Sequence, residues 1–441
     1  MPDPASGLAA RIAGFVTSTP AGRGQLDQAR LTVLDTIGVA LAGGAEPAPV
    51  AVRSAQRPGW DTDPRIWWDG TPAGPAEAVL ANAVAAHGLD YDCLIPAAYV
   101  QPGAVLVPAL IALAERDGVT GARLLDGVAR GVGLLGALGR DLGHQLHTRG
   151  WHPTCVLGVV AAAAAGAHLL GLPTGGIATA VNIAVSLSGG LKQNFGSMTK
   201  ELQVGEAARG GAQAALLSAA GVTANPRAAD SWLGLVGPPG HRAPTLEPPP
   251  GGPDVHIKRY PCCGRMHAAL DAAAALRNSR PPAAGEVRSV ACHLNPADIA
   301  HIDRAEVHTP AEAKFSVQYG LARMLARGQV GLSDFEPQEL AAADVARLMP
   351  RVRIHPDGAV PSFGAQVVIG FSTGEQQRQH AAGPAAASAA DVAGKFADCC
   401  ARAGRAAADA RTFAAMITRP GAIPDPRTLV RSLPGRASVA V

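Results

Sequence analysis

The chain has 441 residues, 48% of them hydrophobic, 4% aromatic and 17% charged, with a formal net charge of +3. That length exceeds one simple core and predicts two domains. The near balance of charge, with no Lys/Arg run and no aromatic stripe among basic residues, excludes a nucleic-acid surface as the main function.

With so few aromatics, Ala, Leu and Val must fill the interior, which suits closely packed helices. Apolar spacing predicts helices over Leu8 to Val16, Leu26 to Ala42, Ala76 to His87 and Val105 to Ala114. It predicts four more over Gly121 to Leu142, Pro153 to Leu170, Ile177 to Leu187 and Glu206 to Ala220. The run from Val156 to Leu172 is apolar, but it is Ala-rich, contains His168 and falls short of the ~20 residues a bilayer demands, so it reads as a buried core helix. A stretch rich in Pro and Gly, from Gly237 to Pro253, cannot hold regular structure and reads as a crossing between domains.

Beyond that stretch the pattern alternates. Val287 to Leu294, Val352 to His355 and Ala365 to Phe371 read as strands, with helices at Met266 to Arg277 and Ser316 to Ala326 between them. From Ala390 the chain returns to Ala-rich helix. The expected fold class is therefore mainly α: a large, discontinuous helical domain over 1–255 and 395–441, with a smaller α+β domain over 256–394 inserted.

The start, Met1-Pro2-Asp3-Pro4, has neither the basic segment nor the apolar stretch of a secretory signal. Seven cysteines form no even framework, and Cys262-Cys263 and Cys399-Cys400 are adjacent rather than spaced as in zinc sites. Free thiols in a reducing cytoplasm are expected, with no membrane span. No phosphate loop, dinucleotide fingerprint or metal-ligand cluster stands in the sequence, so neither cofactor nor metal is expected.

Five polar segments interrupt the apolar pattern: His87 to Asp92, Gly150 to Thr154, Gly196 to Lys200, Lys258 to Cys263 and Ala313 to Tyr319. Each has an ordinary explanation. Asp90 and Asp92 follow a helix, where carboxylates commonly make turn or capping bonds, and their directions should differ, so that only one need face a cavity. His152 starts a helix before Pro153, where backbone can satisfy an imidazole, although its ordinary pKa suits proton transfer. Lys200, ahead of a long helix, and Lys258, beside Arg259, could be solubilising surface residues. Tyr319, in a helical pattern, could be a core aromatic with a wet hydroxyl. His144 and His147 read as solvent-facing loop residues.

In this order and at these intervals the five segments resemble the MmgE/PrpD family over almost the whole chain, from about Leu8 to about Phe396. That family includes 2-methylcitrate dehydratase, cis-aconitate decarboxylase and iminodisuccinate epimerase. The resemblance implies a discontinuous helical domain with an α+β lid, a homodimer, catalysis without cofactor and a small carboxylic acid as substrate. It implies His152, Asp90 and Tyr319 as catalytic groups, Lys200 and Lys258 as cations that bind and polarise carboxylates, and Gln101 and His267 as further substrate-binding residues. Two departures stand out. Gln101 replaces a histidine commonly given acid/base duty, and Gln203 replaces a second; a Gln can hydrogen-bond but cannot take up a proton near neutral pH. The loop from Leu94 to Ala98 is also more apolar than in tricarboxylate-processing relatives. These features point to a cofactor-free dehydratase of a β-hydroxy carboxylic acid with a non-standard substrate from specialised metabolism. Decarboxylation or epimerisation on the same scaffold is the alternative within enzymes, and a carboxylate-binding homologue without catalysis the alternative outside them.

Overall fold

The computed structural model describes residues 7–18, 20–56, 64–237, 244–247, 252–282, 285–419, 421 and 423–435. The expectation for Met1 to Pro4 and most of the Pro-rich crossing fall outside these residues. The chain divides into two compact units, Met1–Ile257 with Ser388–Val441, and Lys258–Ala387.

The larger unit is helical. In chain order it contains α1 (Leu8–Thr17), α2 (Arg23–Gly43), α3 (Pro47–Ala55), α4 (Pro75–His87), α5 (Pro102–Asp117), α6 (Gly121–Thr148), α7 (Pro153–Leu169), α8 (Thr174–Ala184), α9 (Thr199–Ala219) and α10 (Ala228–Val236). Helix α7 is its axis: every residue from Pro153 to Ala167 is buried, and α5, α6, α8 and α9 pack around it. The small side chains of Ala161 to Ala165 let those neighbours come close, which compensates for the scarcity of large aromatics. Val156 to Leu172 is thus mainly a core helix, and among the described residues no helix is long and apolar enough to cross a membrane.

Two helices extend past their apolar pattern. Helix α6 continues to Thr148, so His144 and His147 are helical rather than loop residues. Its later turns are buried through Gly139, Leu142, Gly143 and Leu146, and Gly143 lies flush against the Ala98 carbonyl, where any Cβ would collide. Helix α9 begins at Thr199, seven residues before Glu206; its opening Thr199-Lys200-Glu201 is polar and shows no apolar period.

The smaller unit holds α11 (His267–Ser279), β1 (Val287–Leu294), α12 (Pro296–Ile302), α13 (Pro310–Ala313), α14 (Val317–Arg327), α15 (Ala343–Leu348), β2 (Val352–Pro356), β3 (Ala365–Phe371) and β4 (Gln376–Ala381). The strands form one sheet in the order β2-β1-β3-β4, with β1 and β2 parallel and the other pairs antiparallel. Val290, Cys292 and Leu294 of β1 and Val367 and Ile369 of β3 join Leu270, Ala273, Leu321 and Leu325 of α11 and α14 in its core. Strand β4, Gln376-Gln377-Arg378-Gln379-His380-Ala381, was not expected: it has no apolar alternation and is held at the edge by its pairing with β3. Helices α16 (Ala389–Arg402), α17 (Ala407–Thr418) and α18 (Pro426–Arg431) then complete the larger unit, α16 packing on α2 and α17. The mainly α class with a smaller α+β part is therefore the observed one.

Candidate active site

In the larger unit, three segments converge: the loop after α4, the start of α7 and the first turns of α9. Helix α4 ends at His87, and Asp90 then takes a left-handed backbone, φ 52°, a conformation that Asp tolerates better than most residues. Tyr99, at φ 58°, makes a second such turn before Gln101. Between them, Ile95 bonds to the Val100 carbonyl and Leu94 pairs with His256. Leu94, Ile95 and Ala98 are 9%, 3% and 1% exposed, so packing consumes the loop's apolar character. The loop's apolar character therefore lends no support to the expected non-standard substrate.

The turn sends the two carboxylates different ways, as expected, yet Gln101 ties them together. Asp90 Oδ1 accepts from Lys200 Nζ at 3.1 Å. Asp92, fully buried, holds His87 Nδ1 at 3.0 Å through Oδ2 and accepts from Gln101 Nε2 at 2.8 Å through Oδ1. The same amide reaches Asp90 Oδ1 at 3.4 Å. Gln101 thus donates to both acids, a role that needs no titrating group. Because the Asp92 carboxylate can only accept, His87 Nδ1 carries the hydrogen between them, and its Nε2 is buried without a hydrogen-bond partner among the described residues.

Behind this loop is a buried support. Lys395 of α16 donates to the Tyr91 carbonyl at 2.6 Å and pairs with Asp35 of α2, whose other oxygen accepts from the Cys93 amide at 3.1 Å. Burial raises the Asp35 pKa, with Lys395 opposing. The residues flanking Asp92 are therefore fastened from two helices remote in sequence.

His152 precedes Pro153 at the start of α7, and its amide donates to the Gly190 carbonyl at 3.0 Å while Trp151 bridges Leu191. The imidazole is 2% exposed. Its ring lies 6.0 Å from that of His87 and packs nearly perpendicular to that of Phe195, with centroids 4.8 Å apart. Burial, with His87 and Lys200 nearby, holds its pKa well below the ordinary value, so it is neutral near pH 7. Lys200 behaves oppositely: burial disfavours its charge, but Asp90, Glu201 and Asp92 outweigh burial and raise its pKa. It keeps its proton, with Phe195 5.7 Å away. Lys200 and Gln203 stand three apart on one face of α9, so one helix delivers the cation and the partner of His152.

The candidates Asp90, His152, Lys200 and Gln101 are thus brought together, and Lys200 is no surface lysine, its side chain being 11% exposed. His87, Phe195 and Gln203 are added to them; the His87–Asp92 spacing was the one signal in the sequence that could have drawn attention to His87. His144 is exposed on α6 and meets the Tyr99 hydroxyl at 3.2 Å, outside this cluster.

Three candidates belong to the smaller unit. Lys258 is 3% exposed, which removes the solubilising alternative. His267 is buried, its Nε2 lies 3.3 Å from the Cys262 carbonyl, and its ring meets Tyr260 edge-on at 5.2 Å. Tyr319 corresponds to the core alternative: it is wholly buried beside Phe335, and its hydroxyl donates to the Asp334 carbonyl, to which Arg323 also donates. Burial raises its pKa, against the pull of Arg323. That bond engages the hydroxyl's hydrogen within the smaller unit.

Among curated proteins, cis-aconitate decarboxylase of Mus musculus is 28% identical over 369 residues, covering 77% of this chain and 73% of that protein. The Homo sapiens cis-aconitate decarboxylase is also 28% identical, over 366 residues, covering 77% of this chain and 74% of that protein. The cis-aconitate decarboxylase-like protein oryM of Aspergillus oryzae is 28% identical over 336 residues, covering 68% of this chain and 70% of that protein. The MmgE/PrpD N-terminal domain matches residues 10–236 and the MmgE/PrpD C-terminal domain residues 260–418, so this chain belongs to the MmgE/PrpD family.

Proposed function

We propose that the protein is a lyase acting on a small carboxylic acid at the carbon beside a carboxylate, and that it removes water from a β-hydroxy acid. The observation that carries this reading is a buried, neutral His152 with a protonated Lys200 near enough to depress it further. A neutral imidazole of low proton affinity enters the reaction as an acceptor. It takes the proton from the carbon beside the carboxylate, and the electrons pass into an enediolate-like intermediate whose charge Lys200 offsets. The carbon–carbon double bond then forms, the bond to the β-hydroxyl breaks, and the imidazolium returns its proton to the leaving hydroxide. Water is released and His152 is neutral again. Because Gln101 can neither take up nor release a proton near neutral pH, His152 serves both transfers.

Decarboxylation is the second reading, favoured by the names of the curated relatives. In that reaction the bond to a carboxylate carbon breaks, carbon dioxide leaves, and the remaining carbanion takes up a proton. The imidazole would have to begin charged, which its environment opposes. A panel of β-hydroxy acids and unsaturated di- and tricarboxylates, with products identified by mass, separates the two. Loss of water with all carbon retained is expected; released carbon dioxide would replace the first reading by the second, and turnover of no substrate would favour the binding homologue.

A further inference from the structure

The second His-to-Gln departure acquires a function at the start of α9. Gln203 Oε1 lies 3.2 Å from His152 Nδ1, and Gln203 Nε2 donates to the Leu191 carbonyl at 3.3 Å. The Leu191 carbonyl can only accept, so it orients the amide: its nitrogen faces Leu191 and its oxygen faces the imidazole. An amide oxygen is likewise only an acceptor, so the ring nitrogen opposite it must carry hydrogen. Cys155 Sγ is 3.1 Å from the same nitrogen, but burial keeps it a thiol, and thiol sulfur bonds weakly in either direction. It yields to the amide oxygen. The site is also shaped for this contact. Gly190, at φ +115°, has no Cβ; one placed there would stand 2.9 Å from Cys155 Cβ and 3.2 Å from Gln203 Oε1.

We propose that Gln203 is a positioning residue that locks His152 in the tautomer with hydrogen on Nδ1, leaving Nε2 as the nitrogen of this imidazole that accepts the proton. The replacement of a titratable residue by Gln then makes the choice of nitrogen independent of pH. A histidine at position 203 would accept or donate according to its own protonation, whereas an amide anchored at Leu191 only accepts. The other groups acting on this imidazole are His87, Lys200 and Asp90, and the Phe195 ring packs nearly perpendicular to it. Among the described residues none of these groups hydrogen-bonds His152, so the tautomer rests on Gln203. The inference builds on His152 as the proton carrier of the proposed reaction.

The test is the nitrogen-15 spectrum of the full chain, labelled at histidine and free of substrate, with the His152 signals assigned by their loss in His152→Gln. The wild type is expected to show a protonated Nδ1 and a bare Nε2. Gln203→Leu, which removes the acceptor, should shift His152 toward the opposite tautomer, with the Cys155 thiol donating to Nδ1, and lower kcat at least tenfold with little change in KM. Gln203→Glu retains an acceptor, so it should keep the tautomer while raising the pH at which His152 protonates. A bare Nδ1 in the wild type, or an unchanged tautomer in Gln203→Leu, overturns the proposal. Full turnover by His152→Gln would instead overturn the catalytic reading while leaving the tautomer assignment standing.

Discussion

Asp35 and Lys395 form a buried ion pair, 2.6 Å between Oδ1 and Nζ, that joins the second helix of the chain to the helix that returns after the smaller unit. The pair is also the fastening of the loop carrying Asp90 and Asp92, because Lys395 holds the Tyr91 carbonyl and Asp35 the Cys93 amide. Replacing Lys395 by Met leaves Asp35 as an uncompensated buried acid and should cost about 3–5 kcal/mol in urea unfolding. The double variant Asp35→Leu/Lys395→Met should recover part of that loss, since it strands no charge. A single variant as stable as wild type would mean that the loop is held by packing alone.

For His152, removal of the imidazole is the direct measurement. His152→Gln should lower kcat by ~100-fold or more, the smaller end of what a positioned acid/base contributes. His144→Gln, at an exposed position on α6, should change kcat by less than twofold in the same assay. Comparable losses in both would point to a general disturbance of α6 and α7 rather than proton transfer.

The depressed pKa of His152 also has a thermodynamic consequence. Below the ordinary histidine pKa of about 6.5, the unfolded chain takes up a proton that the folded chain refuses, so folding stability falls as pH falls and rises as pH rises. Urea midpoints measured between about pH 7 and pH 5 should therefore decline more steeply in wild type than in His152→Gln. The acidic limb of kcat/KM should lie below pH 6.5 for the same reason. Parallel stability profiles would show that His152 is not buried neutral.

Lys200 is predicted to act chiefly through charge. Lys200→Ala leaves the developing negative charge without its cation and should reduce kcat/KM on the order of 100-fold. Lys200→Arg keeps the charge but not the compact ammonium beside Asp90, so intermediate activity is expected. Equal activity in Lys200→Ala and wild type would assign the lysine a purely local pairing role.

Gln101 is predicted to matter for stability as much as for rate. Gln101→Leu removes the donor at 2.8 Å from the buried Asp92 and should cost about 1–3 kcal/mol, the penalty for stranding a buried acceptor. Unchanged thermal midpoints would mean that Asp92 finds another donor, and would detach Gln101 from the carboxylate pair.

What the sequence by itself determined is local or periodic. The Ala-rich run of α7 could only be a core helix, and the alternation in β1 and β3 could only be half-buried strand, because side-chain burial repeats with the backbone geometry of each element. The five polar segments carried the family, and they named Asp90, His152 and Lys200 before any of them had a neighbour; Gln101 stood out only as a departure from its pattern. Tertiary structure decided everything that depends on partners distant along the chain. Strand β4 exists through its hydrogen bonds to β3, and the late turns of α6 through a glycine lying against Ala98. Tyr319 reads equally well as a site group or a core residue until the Asp334 carbonyl claims its hydroxyl. In the sequence, Gln101 and Gln203 look like two lost proton carriers. Folded, one binds both carboxylates and the other faces the imidazole, because a hydrogen bond needs a partner within about 3 Å in the right direction, and no spacing along one chain encodes that.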